Sequence, residues 1–331
     1  MRFFRYAVLG SNSFAGAACV AELLRQNAFV MGINRSAEGS EIFLSYRALS
    51  ERKAYRFVQA DINLDFEKII SELDRFEPEV VIDFAGQGMV AESWQDPAQW
   101  YTTNIISKVR LHEYLRGVSW LKRYVRISTP EVYGSQDNLL SETWQCSPST
   151  PYAVSHSAVD MSLRAYHQQY GFPVILNRFA NFYGPGQQLY RIVPRTIIYA
   201  LTGRKLQLHG GGTSVRAFIH GNDVAKGILA SLEMGEPGSI YHFSPQQFFT
   251  IKQVVELICA RMGIAFSALA EVTTDRPGKD RAYLMDSSRA RTELGWRDEI
   301  SFEVGVDETI EWVKRNLAEI EKLPLNYIHK P

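Results

Sequence analysis

The chain has 331 residues, of which 46% are hydrophobic and 22% are charged. This composition is typical of a globular protein large enough for two domains. Its 36 basic and 36 acidic residues cancel, so no overall positive field favours a nucleic acid or an anionic membrane. No apolar run approaches the roughly 20 residues of a membrane span. We therefore expect neither a nucleic-acid nor a membrane partner.

The cysteine content indicates the compartment. Cys19, Cys146 and Cys259 are odd in number and far apart, so they match neither a metal-binding spacing nor a disulfide framework. Such usage is typical of a reducing environment. We expect no metal site and a cytoplasmic location.

The first half of the chain alternates short apolar runs with helix-like stretches. This rhythm predicts βαβ units, and therefore an α/β fold with a Rossmann-like, doubly wound parallel sheet. Right-handed crossovers would place all strand ends beside one ligand crevice. The predicted strands are Tyr6–Leu9, Val30–Ile33, Arg56–Val58, Val80–Phe84, Tyr124–Ile127 and Val174–Asn177. The clearest helices among them are Gly16–Gln26, Leu64–Phe76 and Trp100–Arg116.

The regular alternation of predicted strands and helices ends after Asn177, where a Gly/Pro-rich loop precedes more widely spaced elements. This change predicts a smaller, discontinuous C-terminal domain for the substrate. We place the first domain at residues 1–178 plus about 217–244, and the second at about 179–216 plus 245–331. A strand at Arg216–Ile219 and a terminal helix at Glu303–Glu321 are expected.

A glycine-rich loop, GSNSFAG, follows the first predicted strand and opens the first helix. Its spacing is that of a dinucleotide loop, in which backbone N–H groups and the helix dipole hold a pyrophosphate. Ser13 stands where a third glycine is expected, and a serine there can cap the helix. The cofactor contacts expected in this loop are Gly10, Ser13, Phe14 and Gly16.

The second predicted strand ends in Asn34 and Arg35, with no acidic residue. An acid at this point accepts from a free ribose 2′-hydroxyl, whereas an arginine meets a 2′-phosphate. The sequence therefore favours NADP, with NAD as the alternative. Asp61 and Ile62 close the third strand, and Asp61 is expected to accept from the adenine amine.

The fourth strand ends in Ala85, Gly86 and Gln87. Small residues at the first two positions let the backbone approach the cofactor closely.

Polar groups also gather after the fifth strand. Ser128 and Thr129 end that strand, and Glu131 follows closely. Tyr152 and His156 are four residues apart on a predicted helix, so their side chains share one face. A hydroxyl, a carboxylate, a phenol and an imidazole are thus expected in one crevice at the carboxyl end of the sheet.

In this order, the motifs resemble those of extended short-chain dehydrogenases/reductases. The chain is most similar to the nucleotide-sugar 4,6-dehydratases that act on dTDP-glucose and GDP-mannose, and the resemblance covers nearly its whole length. The motifs are GSNSFAG (10–16), AGQGMVAESW (85–94), STPEVYG (128–134), PYAVSH (151–156), NRFANFYGPGQ (177–187), VRAFIHGNDVAKGI (215–228) and RPGKDR (276–281).

The resemblance implies a lyase that oxidises C4 transiently with bound NAD(P), removes the C5 proton and expels water. It implies that Tyr152 takes the 4-hydroxyl proton, that Thr129 orients the 4-oxygen and that Ser128 lines the pocket. Glu131 would be the base for C5, and Tyr152 and His156 would also contact the nicotinamide ribose. The substrate diphosphate and nucleoside would be held in the second domain, by Asn181, Arg191, Arg216 and Arg276, with Gln87 nearby. The resemblance also implies a homodimer built on helices Trp100–Arg116 and Val154–Tyr170.

The chain departs from the family pattern at three positions: Ser13, Pro130 and His156. Pro130 replaces an aspartate that protonates the leaving hydroxyl in dTDP-glucose enzymes, so Glu131 would have to both accept and deliver that proton. His156 replaces the lysine of the YxxxK motif. A neutral imidazole cannot lower the pKa of a phenol as a cation does. This replacement predicts slow turnover and a raised pH optimum.

Other functions remain open at this point. A nucleotide-sugar C4 epimerase, decarboxylase or C4 dehydrogenase on the same fold would share the oxidation at C4. A catalytically impaired protein that still binds cofactor and nucleotide sugar is the non-enzymatic alternative.

Overall fold

The structure is a computed structural model, and it describes residues 3–135, 138–274 and 282–330. Within these ranges the strands are β1 (Arg5–Leu9), β2 (Phe29–Asn34), β3 (Tyr55–Gln59), β4 (Val80–Asp83), β5 (Arg123–Ser128), β6 (Leu139–Leu140), β7 (Val174–Phe179), β8 (Asn181–Tyr183), β9 (Leu206–His209), β10 (Val215–Arg216), β11 (Phe218–His220), β12 (Ile240–Phe243), β13 (Phe249–Thr250), β14 (Ala270–Thr273) and β15 (Leu284–Met285).

The α-helices of the same ranges surround these strands. They are α1 (Phe14–Arg25), α2 (Phe66–Phe76), α3 (Pro97–Tyr101), α4 (Ser107–Leu115), α5 (Pro151–Tyr170), α6 (Ile192–Thr202), α7 (Gly221–Met234), α8 (Ile251–Met262), α9 (Phe266–Leu269), α10 (Ser288–Glu293) and α11 (Phe302–Ile320). No helix in the described part of the chain is long and apolar enough to cross a membrane.

A seven-stranded sheet in the order β12-β7-β5-β4-β1-β2-β3 is the centre of the described structure. Every pair in it is parallel. Along β1, Tyr6 and Val8 join one hydrophobic core while Ala7 and Leu9 join another, so both faces are covered. The predicted Rossmann-like, doubly wound α/β fold is confirmed. The strand order reverses beside β1, and such a reversal opens a crevice at the carboxyl ends of the strands.

The predicted helix Trp100–Arg116 is interrupted in the structure. A π-helical turn, Thr102–Ile106, separates α3 from α4. The turn places Asn104, whose amide accepts from the backbone N–H of Gln87 at 2.8 Å and donates to Ser155 Oγ at 2.9 Å. Turns of this kind are frequent at functional sites, and here the turn connects the end of β4 to α5.

Four two-stranded sheets lie outside the central sheet in the described residues. The single strand expected at Arg216–Ile219 is wrong in detail, because it is divided into β10 and β11. These two short strands pair with different partners, β10 antiparallel with β13 and β11 parallel with β8. Helices α6, α8 and α11 share a separate hydrophobic core, and the two-domain boundaries stay a prediction.

Candidate active site

The glycine-rich loop lies between β1 and α1 and is closed by hydrogen bonds of the Ser13 side chain. The Ser13 hydroxyl accepts from the Gly16 N–H at 3.1 Å and donates to the Gly10 carbonyl at 2.7 Å. Gly10 has φ +79°, and a Cβ on it would lie 2.9 Å from the backbone nitrogen of Ala85. A Cβ on Gly16 would lie 2.3 Å from the Gly10 carbonyl oxygen. Both glycines are therefore required, and Ser13 caps α1 as its sequence position suggests.

The Phe14 side chain is buried and points away from the loop, since a Cβ on Gly221 would touch its ring at 2.7 Å. The group of Phe14 that is available to a phosphate is therefore its backbone N–H, in the first turn of α1. At the end of β2, the Asn34 amide donates to the Ser36 carbonyl at 3.1 Å. Ile62 is buried in the hydrophobic core that also contains residues of β2 and β3.

At the end of β3, the Asp61 carboxylate accepts the backbone N–H of Asn63 at 2.7 Å. At the end of β4, the Ala85 N–H donates to Asp83 at 3.1 Å. A Cβ on Gly86 would lie 2.9 Å from Asn104 Oδ1. The chain is thus closely packed at the carboxyl ends of β3 and β4.

The segment after α11 contacts the residues that follow β2 and β4, a position that was not predicted from the sequence. Arg35 Nη2 and Gln87 Nε2 both donate to the carbonyl oxygen of Lys330, each at 2.9 Å. The His329 ring stacks on Trp100 with centroids 5.2 Å apart. No motif marks this segment, because its contribution is a backbone carbonyl that any residue could supply.

Thr129 and Tyr152 meet where β5 faces α5. Thr150 caps α5 by accepting the Ala153 N–H at 3.2 Å, which places the phenol in the first turn of the helix. The Thr129 hydroxyl lies close enough to that phenol to affect its ionisation. Burial raises the pKa of Tyr152, the Glu131 carboxylate adds to the rise, and the Thr129 hydroxyl opposes it, as do the charges of two arginines.

Tyr283 contacts the Glu131 carboxylate. The Tyr283 hydroxyl lies 3.3 Å from Glu131 Oε1 and 3.2 Å from Asn181 Oδ1. The Arg216 guanidinium lies over the same ring, 4.2 Å from its centroid. Tyr283 therefore connects the expected C5 base with two expected substrate residues. Tyr283 was not predicted as a site residue, although it lies two residues beyond the RPGKDR motif.

The remaining expected substrate residues are spread around this cluster. Arg191 is the N-cap residue of α6, and its charge acts on Tyr152. Ser128 is buried, and its hydroxyl donates to the Asp160 carboxylate in the interior. Arg276 lies outside the described residues.

In the described part of the chain, no group of three or more His, Cys, Asp or Glu side chains could hold a metal ion.

Residues 8–309 match the family model described as GDP-mannose 4,6 dehydratase. The chain belongs to this family. A dTDP-glucose 4,6-dehydratase of Xanthomonas campestris pv. campestris is 29% identical to it over 330 residues, which cover 94% of this chain and 93% of that protein. The assignment to the nucleotide-sugar dehydratases of the extended short-chain dehydrogenase/reductase family is confirmed.

Solved structures of other proteins support the same family assignment. A dTDP-glucose 4,6-dehydratase from Streptomyces venezuelae with NAD and TYD bound has a TM-score of 0.87 at 29% identity, covering 96% of this chain and 98% of that one. A UDP-glucose 4-epimerase from Thermotoga maritima with UDP-glucose has a TM-score of 0.86 at 25% identity, covering 95% and 100%. The fold is thus shared by dehydratases and epimerases.

A layer of charged side chains, unusual in a protein interior, is in contact with two of the expected site residues, His156 and Ser128. We call it the buried charged layer; its members are Asp83, Lys108, Arg126, Asp160 and Arg178, all at most 2% exposed. Lys108 pairs with Asp83, and Arg178 pairs with Asp160 at 3.0 Å. Burial lowers the pKa of Lys108 to about 8, so it remains largely protonated at neutral pH.

His156 is in contact with this layer. Its Nδ1 lies 3.0 Å from Arg126 Nη2, and its ring centroid lies 4.5 Å from that of Tyr152. Burial and the nearby cations lower the pKa of His156 well below its ordinary value, so the ring is neutral, as expected from the sequence.

The position of Tyr283 gives a prediction about Glu131. Tyr283→Phe removes the hydroxyl but keeps the ring beneath Arg216. A hydrogen bond to a charged group contributes about 1.5–3 kcal/mol, so we expect kcat to fall about ten- to hundredfold with little change in KM. Steady-state kinetics with a nucleotide sugar measure both constants.

Tyr283→Ala is the matched variant, because it also removes the ring. It should raise KM in addition, since Arg216 loses its support. Equal KM effects in the Phe and Ala variants would contradict this division of roles.

Proposed function

We propose that the protein is a nucleotide-sugar 4,6-dehydratase that works through transient oxidation at C4 with a bound NAD(P). The observation that carries this proposal is the cluster of Thr129, Tyr152 and Glu131 at the sheet end beside the glycine-rich loop. These three side chains supply an orienting hydroxyl, a phenolic base and a second base within one cluster. Relatives named as dehydratases support the same reaction.

Gly10, Ser13 and Gly16 of the glycine-rich loop would hold the dinucleotide, which would supply reversible hydride transfer between C4 and C6 with no net redox change. Tyr152 takes the proton of the sugar 4-hydroxyl as C4 becomes a ketone. Thr129 orients the 4-oxygen toward the phenol, because its hydroxyl lies close enough to Tyr152 to affect the phenol's ionisation.

The ketone acidifies the C5 proton, since the resulting carbanion is an enolate. Glu131 takes that proton, and its carboxyl then protonates the 6-hydroxyl as it leaves. Pro130 carries no transferable proton and is buried at the start of the short helical turn that holds Glu131. One carboxyl therefore does both tasks, and Tyr283 keeps it in place.

Arginine side chains suit the substrate diphosphate, because the guanidinium fork matches phosphate oxygens. We assign Arg191 and Arg216 to this role, with Asn181 and Gln87 at the sugar and ribose. Arg276 is assigned by its motif alone.

C4 epimerisation is the second candidate. Pro130 favours it, because a site that only oxidises and reduces C4 needs no acid for a leaving hydroxyl. The same would hold for a C4 dehydrogenase, whereas a decarboxylase would require a carboxylate at C5 of its substrate.

Mass spectrometry after incubation with a panel of nucleotide sugars tests the proposal. We expect the loss of one water from a hexose substrate. Glu131→Gln should abolish water loss but still transfer hydride, visible as nicotinamide absorbance, whereas Tyr152→Phe should abolish both. An inverted C4 without mass change, or loss of carbon dioxide, would contradict the proposal, and so would tight binding without any reaction.

We further propose NADP as the preferred cofactor. Arg35 follows β2, and Lys330 Nζ lies 3.3 Å from Ser36 Oγ at the same strand end. Two cations next to the position of the ribose 2′-oxygen suit a phosphate. Solved relatives contain NAD, so the experiment must test whether this protein prefers NADP to NAD.

The variant Arg35→Ala measures this preference. The loss of a charge-assisted hydrogen bond of about 1.5–3 kcal/mol should weaken NADP binding about ten- to hundredfold. NAD binding should change by less than about twofold. The exposed Lys53→Ala serves as control, and calorimetry gives both dissociation constants. Equal weakening of both dinucleotides, or none, would assign Arg35 to another role.

We propose a homodimer formed by α5 and the helices preceding it. Val154 and Met161 are 38% and 42% exposed and lie on one face of α5, and Ile106 is 58% exposed nearby. Family resemblance assigns these helices to dimer contacts. An apolar stripe of this kind is stabilised when a second copy covers it.

Met161→Glu should shift the protein from dimer to monomer in analytical ultracentrifugation, because it would bury an unpaired charge. Val304→Glu is the control, since Val304 is 51% exposed on the distant α11. Dissociation by both variants, or by neither, would remove α5 from the interface.

We also propose a cytoplasmic location. All three cysteines are free, and two of them, Cys19 and Cys259, are buried. Free thiols are stable in a reducing compartment.

A further inference from the structure

Arg126 is an unexpected residue in the middle of a parallel sheet. It belongs to β5, between strands β4 and β7, and its side chain is 2% exposed. A charge so far from water is stable only when its surroundings compensate it. Its position is therefore tied to specific partners.

The charges of the buried layer do not cancel. Lys108 neutralises Asp83, and Arg178 neutralises Asp160. Arg126 approaches both carboxylates only at longer range, 3.6 Å to Asp83 and 3.7 Å to Asp160. Three cations thus face two carboxylates, and one positive charge is in excess.

The contact with His156 determines where the imidazole proton lies. A guanidinium has only N–H donors, so Nδ1 of His156 must accept from Arg126 across 3.0 Å. A neutral ring carries one proton, which is therefore on Nε2. Helix α5 therefore presents the Nε2–H of His156 as a hydrogen-bond donor. A lysine ammonium group at this position would also donate, but it would carry a positive charge.

We propose that Arg126 and His156 together replace the lysine of the family's YxxxK motif. Arg126 supplies the permanent positive charge that stabilises the Tyr152 phenolate. His156, fixed in one tautomer by Arg126, supplies the Nε2–H that donates to the nicotinamide ribose. Arg126 is a positioning residue, because His156 lies between it and the reacting groups.

Several groups face Tyr152 and set its titration. Glu131 raises the phenol's pKa, and so does burial. The Thr129 hydroxyl, Arg191 and Arg126 lower it, while the neutral His156 contributes no charge. Tyr283 is close enough to interact electrostatically. Arg191 is exposed at the end of a loop, so Arg126 is the cation in this set that water screens least.

The kinetic test of this proposal rests on the proposed function, because it needs turnover of a nucleotide sugar. Arg126→Gln removes the charge, and Arg126→Lys keeps it. In the Gln variant, the rising limb of the profile of kcat against pH should move to higher pH by about one pH unit. Turnover at neutral pH then falls about tenfold per unit and recovers at high pH. The Lys variant should keep the original limb. An unmoved limb in the Gln variant would overturn the role of Arg126.

The double variant Arg126→Gln with His156→Lys returns a cation to α5. It should move the limb back toward its original position. A purely structural role for Arg126 would not be rescued by a charge four residues beyond Tyr152, so failure of the rescue in a folded protein would also overturn the proposal.

A second measurement needs neither substrate nor turnover. The protein has seven histidines, and ¹⁵N NMR of the cofactor-free protein, with His156→Gln to identify the signal, reports the tautomer. We expect His156 neutral with the proton on Nε2 from about pH 5 to about pH 9. A proton on Nδ1, or titration in that range, would overturn the assignment even if the Gln variant of Arg126 does not fold. This result is independent of which reaction follows C4 oxidation, so failure here and failure of the proposed function are distinguishable.

Discussion

The buried charged layer is the constraint on which the rest of the site depends. Removing a charge from water costs several kcal/mol per ion unless partners compensate it. Asp83 at the end of β4 meets Lys108 from α4, and it also accepts from the buried Tyr124 hydroxyl at 2.7 Å. Because each member needs its partner, the layer holds β4, β5, β7, α4 and α5 in one arrangement.

Two of the side chains that we propose for the site, His156 and Ser128, are in contact with this layer. Asp160 is one turn beyond His156 on α5 and binds Ser128 and Arg178, so α5 cannot rotate relative to β5 and β7. The same orientation turns Tyr152 toward Thr129. On the other side, the π-helical turn lets Asn104 join Gln87 to Ser155. The pocket is therefore determined by polar contacts more than by the hydrophobic cores, which tolerate changes of similar volume.

This arrangement also explains how the chain can lack the family's lysine. A substitution of lysine by histidine alone would remove a charge from the site. Arg126 lies on the neighbouring strand, within hydrogen-bonding distance of the substituted position. A cation therefore remains close to the phenol, although it is attached to the sheet instead of the helix.

Much of the fold was accessible from local pattern. The alternation of strands and helices, the loop from Gly10 to Gly16 and the helix cap at Ser13 follow from short-range periodicity and backbone requirements, which each stretch of sequence carries by itself. The π-helical turn and the division of the strand at Arg216 were not accessible. They depend on which partner each residue pairs with across the fold.

The sequence by itself determined the family, the sheet and the identity of the chemical groups at the ends of the strands, since these depend on residue type and order. Only the tertiary structure decided that Arg126 meets His156, that Tyr283 bridges Glu131 and Asn181, and that the carbonyl of Lys330 meets Arg35 and Gln87. These contacts join residues 30 to 295 positions apart. No local pattern encodes them, because their energy arises only when distant side chains leave water together.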